Sequence, residues 1–368
     1  MAKNDHYSLK PILRENAQWN VIYGGRNNGK TYAVHEYAIE RYYKTGEQMA
    51  LIRRWNDDFV GARSVTMFAN QVINGNGKNN VARITGGEWD GITNSGKRWF
   101  LTRGSGDNRV IDEKPFCIGF SITAMEHDKS TAYPQITTIL FDEFISKTVY
   151  LQDEFSLLTN VLQTIIRDRT NVRIFMLGNT INKYCPYFNE MGLTRAKTMP
   201  EGTIDVYTYG VSDMRVAVER TASRVSKSAD AYFAFDNPKL EMVRGASAWE
   251  IDIYPHCPCR FAPKDIAFIF FIRFDGELMQ CEIVTLPDAT FLYIHDKTTP
   301  LQNPKTDLIY DLDAADISPN VRRNIFSCVD TIDSKIKRYF VMGKVFYQDN
   351  TVGDRIKNYM LRCGVKMK

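Results

Sequence analysis

The sequence has no apolar run long enough to cross a bilayer. Its most apolar stretch, Ile266 to Ile272, falls well short of the ~20 residues that a spanning helix needs. The opening MAKNDHYSLK is polar and lacks the apolar core of a secretory signal. Cysteine is sparse: seven residues, an odd number, scattered along the chain. That pattern argues against a disulfide framework and for a reducing, cytoplasmic setting. His256-Cys257-Pro258-Cys259 groups metal-type ligands, but no second Cys or His pair stands at ligand spacing, so it reads as a structural loop. An excess of one charge is also missing. Lys and Arg number 47 against 43 Asp and Glu, a net charge of +4, which argues for a polyanionic partner only if the charge is clustered. No internal repeat or low-complexity tract stands out, which leaves no solenoid to consider.

What remains is an ordinary globular composition, 44% hydrophobic, with 21 Phe and 19 Tyr spread over both halves. At 368 residues two domains suit the chain better than one core. One stretch organises the first of them. The apolar run Val21-Ile22-Tyr23 leads into Gly24-Gly25-Arg26-Asn27-Asn28-Gly29-Lys30-Thr31, and a helix-like run to Tyr43 follows. This is the G-x-x-x-x-G-K-T spacing of a phosphate-binding P-loop. Glycines let successive N–H groups turn inward on a phosphate, and the helix adds its positive dipole end. Lys30 is placed to reach the β- and γ-phosphates of ATP, and the Thr31 hydroxyl to hold Mg²⁺.

A second signal lies downstream, where Ile136-Thr137-Thr138-Ile139-Leu140-Phe141 runs into Asp142-Glu143. A continuous apolar strand suits a parallel sheet covered on both faces. Asp142 at its end is placed for the Mg²⁺ shell, and Glu143 to orient and deprotonate an attacking water. Tyr150 to Arg167 reads as an amphipathic helix with Leu151, Phe155, Leu158, Leu162 and Ile165 on one stripe. Arg167 then points away from the core, towards solvent or towards a neighbouring subunit. Val172 to Leu177 is the next strand, and Asn179 after it is either a γ-phosphate sensor or part of a Gly-Asn turn. Arg53-Arg54 at the end of the strand Met49-Ala50-Leu51-Ile52 faces phosphate or DNA, or is a solvated strand end. Tyr7 covers a base ring or packs at the terminus.

The expected architecture is α/β. Residues 1–200 form a P-loop NTPase domain on a parallel sheet, 201–250 a short helical lid or linker, and 251–368 a smaller α+β domain. In that last part Ala267 to Phe274, Leu278 to Leu286 and Phe291 to His295 read as antiparallel strands, the first two joined at Asp275-Gly276. Two basic helices are expected after them, from Val321 to Phe340 and from Asp354 to Lys368.

Four stretches carry a family resemblance: GGRNNGKTYAV at 24–34, GEQMALIRR at 46–54, KSTAYPQITTILFDEF at 129–144 and IIRDRTNVRIFMLGN at 165–179. In order and spacing they resemble the DNA-packaging ATPases of phi29-type small tailed phages. The resemblance implies a ring ATPase of the additional-catalytic-glutamate (ASCE) class, related to large terminases. It would assemble as a homo-pentamer on the portal of an empty prohead, in the host cytoplasm, and use ATP to drive double-stranded DNA inward. It makes Arg167 an arginine finger acting on a neighbour's ATP, Lys129 a lysine near the intersubunit site, and Asp142 and Glu143 the Walker B pair. It also implies a degenerate RNase-H-like C-terminal domain contacting the portal and, in phi29-type motors, a packaging RNA. Asp275, Asp296, Asp311, Asp313 and Asp330 keep open a terminase-like motor with a live nuclease. A P-loop assembly protein without translocation is the remaining alternative.

Overall fold

The computed structural model describes residues 7–73, 77–127, 131–146, 150–180, 184–210, 212–222, 254–315, 318–326 and 331–364. The chain divides into two compact units. The first gathers Met1–Ser146, Leu151–Ile181 and Tyr187–Ser247, and the second Lys147–Tyr150, Asn182–Pro186 and Ala248–Lys368.

The first unit is built on a ten-stranded sheet. In chain order its strands are β1 (Trp19–Gly24), β2 (Gln48–Arg53), β3 (Gly91–Ser95), β4 (Arg98–Arg103), β5 (Val110–Ile111), β6 (Cys117–Ser121), β7 (Ile136–Asp142), β8 (Arg173–Asn179), β9 (Thr203–Tyr209) and β10 (Met214–Arg220). Across the sheet they run β3-β4-β6-β2-β7-β8-β1-β10-β9, with β5 paired to β4. The central run from β6 to β10 is parallel throughout. Its strands read as continuous apolar runs because both faces are covered, and every residue of β7 is buried. Antiparallel strands close both edges. Strand β8 lies between β1 and β7, so the ends of the P-loop strand and the Asp-Glu strand flank Asn179.

Helices pack on this sheet. They are α1 (Lys10–Arg14), α2 (Lys30–Thr45), the short α3 (Ala62–Thr66), α4 (Ala69–Val72) and α5 (Asn80–Ile84), then α6 (Glu154–Ile166) and α7 (Pro186–Glu190). Helix α6 buries Leu158, Val161, Leu162 and Ile165, spaced to form one helical stripe. It starts later than the apolar pattern alone predicts, because Asp153 has a left-handed backbone with φ of 51°. It also ends before Arg167, whose φ of 50° and ψ of −129° leave the helical region.

The expected lid at 201–250 needs correction. Residues 203–209 and 214–220 are strands, not helix; β10 pairs in parallel with β1, and β9 closes the sheet edge. Arg215 and Arg220 lie near the two ends of β10, while Val216, Ala217 and Val218 between them are buried. The first unit therefore extends past residue 200, and residues 223–250 of the expected lid lie outside the described ones.

The second unit carries a six-stranded sheet. Strands β11 (Ile266–Phe274), β12 (Glu277–Thr285) and β13 (Thr290–Asp296) form an antiparallel meander. Asp275 and Gly276 have φ of 55° and 74°, the doubly positive pair that a tight hairpin turn demands. β14 (Ile309–Asp311) and β15 (Val321–Arg322) add in parallel on the β11 side, and β16 (Val345–Tyr347) adds in parallel beyond β13. Across this sheet the strands run β15-β14-β11-β12-β13-β16.

The two basic helices need refinement. Val321–Arg322 is strand β15, and α8 covers Thr331–Val341. α9 (Asn350–Arg362) is mostly buried, and its Arg355 pairs with Asp296 at 2.6 Å.

Two of the other acids considered for cleavage are similarly engaged. Asp311 faces Arg273 at 3.3 Å and Asp313 faces Arg362 at 2.9 Å, while Asp330 lies outside the described residues. Among the described residues no group of three His, Cys, Asp or Glu side chains is placed to hold a metal ion. Cys257 donates to the Cys259 carbonyl at 3.0 Å.

Candidate nucleotide site

The P-loop forms because β1 ends at a glycine that nothing larger can replace. A Cβ on Gly24 would stand 2.0 Å from the Thr221 hydroxyl oxygen. Asn27 and Gly29 take positive φ of 61° and 92°, which curls the chain into the start of α2. Gly29 offers no side-chain cap, so the first-turn amides of α2 keep their capacity for an anion. The Lys30 ammonium folds back over the loop. It donates to the carbonyls of Gly25 at 2.8 Å and Gly24 at 3.4 Å, and to Oδ1 of Asn28 at 3.2 Å and of Asn179 at 3.3 Å. Asn179, an open choice between sensor and turn, thus lies within reach of Lys30. Arg26 is an exposed member of the same loop.

Two further contacts brace the loop. The Asn28 amide donates to Thr221 Oγ1 at 2.7 Å, and the Tyr7 amide to the Asn28 carbonyl at 3.1 Å. Tyr7 therefore packs on the loop by its backbone, with its hydroxyl bound to Glu219. Burial lowers the Lys30 pKa to about 8, against the opposing carboxylates of Asp142 and Glu219.

Beside the loop, Thr31 Oγ1 lies 3.4 and 3.5 Å from the two carboxylate oxygens of Asp142. This is longer than a strong O–H···O bond of about 2.7 Å. Both are hard oxygen donors of the kind Mg²⁺ takes, and the Arg53 guanidinium already supplies a positive charge there. Arg53 Nη2 binds Asp142 at 3.0 Å and Nη1 binds Glu143 Oε2 at 3.2 Å. Burial raises the Asp142 pKa, with Arg53 opposing and Glu143 adding to the rise. Glu143 is 66% exposed and has φ of 64°. Both arginines of the Arg53-Arg54 pair are turned into the protein, so neither is a solvated strand end or free to grip DNA.

The model of the podovirus DNA encapsidation protein (Gp16) family matches residues 1–86 and 100–208, a little over half of the chain. The chain belongs to this family. Its relatives include the DNA packaging proteins of Bacillus phages PZA and phi29, each 29% identical over 191 residues, or 51% of this chain and 50% of theirs. The chain thus spans about half the length of the curated relatives it matches. The fold is shared more widely. The bacteriophage Phi-29 genome packaging motor assembly aligns over 98% of this chain and 99% of its own, at 21% identity and a TM-score of 0.58. The Phi-28 gp11 packaging motor aligns over 100% of both chains, at 17% and 0.54.

In this family member the expected residues separate into two groups. Gly24, Gly25, Asn28, Lys30, Thr31, Asp142, Glu143 and Asn179 converge at the carboxyl ends of β1, β7 and β8. Arg167 does not join them. It is exposed, and its guanidinium donates to the Thr131 carbonyl at 3.0 Å. Arg167 faces outward because it caps α6, not because of its angle on the helix. Lys129 lies outside the described residues. The contacts missed in the sequence are those of Arg53, Arg54, Glu154 and Thr221. The adjacent arginines at a strand end were a signal, but their acidic partners lie about 90 to 100 residues away.

Proposed function

We propose that this chain is a viral genome-packaging motor ATPase that hydrolyses ATP to translocate double-stranded DNA. The observation that carries this reading is the meeting of Lys30, Thr31 and Asn179 with Asp142 and Glu143 at one sheet edge. Phosphoryl transfer needs little covalent help, so positioning and charge neutralisation do the work. Lys30 exchanges its loop carbonyls for phosphate oxygens, while the α2 amides cradle the same anion. Thr31 and Asp142 would hold Mg²⁺, which neutralises charge between the phosphates when bound. Glu143 accepts the proton of the attacking water from its exposed position, once its carboxylate is free of Arg53. Arg167, turned away from its own site, serves as the cation supplied to a neighbour's ATP. Kinship with phage packaging motors supports a homo-oligomeric ring, a prohead portal partner and an action in the host cytoplasm as parts of this reading. A packaging RNA is a further partner suggested by phi29-type motors. No described helix is long and apolar enough to cross a membrane.

The test is Glu143→Gln. It should retain ATP binding by fluorescent-nucleotide titration and lose about 10²–10⁴ in turnover, read by phosphate release with and without DNA. Substantial residual hydrolysis would remove Glu143 as the base. Nucleotide binding without hydrolysis in the unaltered protein would favour a P-loop assembly protein.

A further inference from the structure

Arg54 follows β2 directly, is 6% exposed, and takes no part in the chemistry above. Its fork is spent in two directions. Nε and Nη2 donate to the two carboxylate oxygens of Glu154, each at 2.8 Å. Nη1 donates to the Glu143 carbonyl at 3.2 Å and Nη2 to the Phe144 carbonyl at 3.1 Å. Glu154 is itself buried and accepts two more bonds, from the Tyr187 hydroxyl at 2.6 Å and the Leu151 amide at 2.8 Å. Pairs of this kind rarely stabilise more than apolar packing of similar volume would, since both charges must be desolvated. A geometric role explains the pair better than stability does.

The geometry concerned is the backbone of Glu143. A φ of 64° at a non-glycine residue is strained and persists only where surrounding contacts over-determine it. Here the Glu143 amide is held by Asp142 Oδ1 at 3.1 Å, and the Phe144 amide by the Leu177 carbonyl at 3.0 Å. Arg54 takes the two carbonyls that follow. We propose that Arg54, locked by Glu154 and Tyr187, is the positioning residue that holds Glu143 in its left-handed conformation and so aims its carboxylate. Lysine cannot substitute, because a point charge cannot hold two carbonyls and a carboxylate at fixed angles. The same ion pair anchors the first turn of α6, the helix that Arg167 caps.

This inference rests on the reading of Glu143 as the base, and the experiment separates the two. Arg54→Lys should lower kcat by about 10²-fold, as for a displaced catalytic group, with ATP affinity within about twofold of the parent. Tyr187→Phe keeps the ring packed between Phe141 and Phe144 and should lower kcat roughly tenfold. It also serves as the test if Arg54→Lys shows no cooperative melting. In a Glu143→Gln background neither substitution should cause further loss. Unchanged kcat in the folded variants, or an equal loss in that background, would overturn the positioning role while leaving Glu143 as base. Full activity in Glu143→Gln alone would overturn both.

Discussion

Lys30 is a cation whose charge is conditional on its surroundings. Its pKa near 8 comes from burial over the loop, and a bound polyphosphate would raise it. Nucleotide affinity should therefore be level below pH 8 and weaken above it, by up to about tenfold per unit. Titrations at pH 7, 8 and 9 check this, and proton uptake on binding near pH 8 should accompany it. His35 behaves in the opposite sense. Burial, with the Arg53 charge adding, lowers its pKa to about 3. The folded protein thus keeps it neutral, while the unfolded chain protonates near 6.5. Its contribution is complete above that value and is lost as pH falls towards 3. Between pH 6.5 and 5, His35 should account for about 1.4 kcal/mol of stability per unit. Denaturant unfolding of His35→Phe should show a flatter acid slope than the parent.

At the scale of elements, strength depends on which face is covered. Leu158 of α6 is 0% exposed and Leu157 is 37% exposed. Leu158→Ala should cost about 2–5 kcal/mol and Leu157→Ala less than about 0.5 kcal/mol, read from urea denaturation midpoints. Strand β10 is held to β1 through Thr221 as well as through its ladder, because Gly24 leaves room for the threonine hydroxyl. Gly24→Ala should push Thr221 away, loosen the Asn28 contact, and lower both melting temperature and nucleotide affinity. Much of this layer was legible in the chain. β7 announces itself by seven consecutive buried positions, and the β11–β12 hairpin by Asp275-Gly276. Strands β9 and β10 were not legible, because scattered charges such as Arg215 and Arg220 resemble a solvated linker until a parallel neighbour covers the apolar residues between them. Helix α5 was likewise hidden among Gly and Asn turns.

At the scale of the whole molecule, the proposed ring places two half-sites on different subunits. Subunits with Arg167→Ala retain a complete P-loop, and subunits with Lys30→Ala retain the outward arginine. Mixing the two should restore part of the hydrolysis that each has lost, since an arginine supplied in trans is worth about 10³–10⁵ in rate. Phosphate release across mixing ratios reads this, and a flat baseline at every ratio would place Arg167 outside the neighbour's site. Mass measurement in solution, which should find a closed homo-oligomer, supplies the accompanying check. With a net charge of only +4, the proposed DNA contact would rest on local patches. Lys78, which is exposed, remains a position to substitute in salt-dependent binding.

The sequence by itself determined the P-loop, the Asp142-Glu143 strand end and the meander of the second unit. These depend on short-range spacing: a glycine where the backbone must curl, an apolar run where two faces are covered, a turn pair with positive φ. Tertiary structure decided which charges meet. Arg53 reaches Asp142 and Glu143, and Arg54 reaches Glu154, across about 90 to 100 residues of chain. No local pattern encodes those encounters, because strand order in a parallel sheet brings distant carboxyl ends to one edge. The same ordering placed Asn179 between the two motifs and left Arg167 outside them.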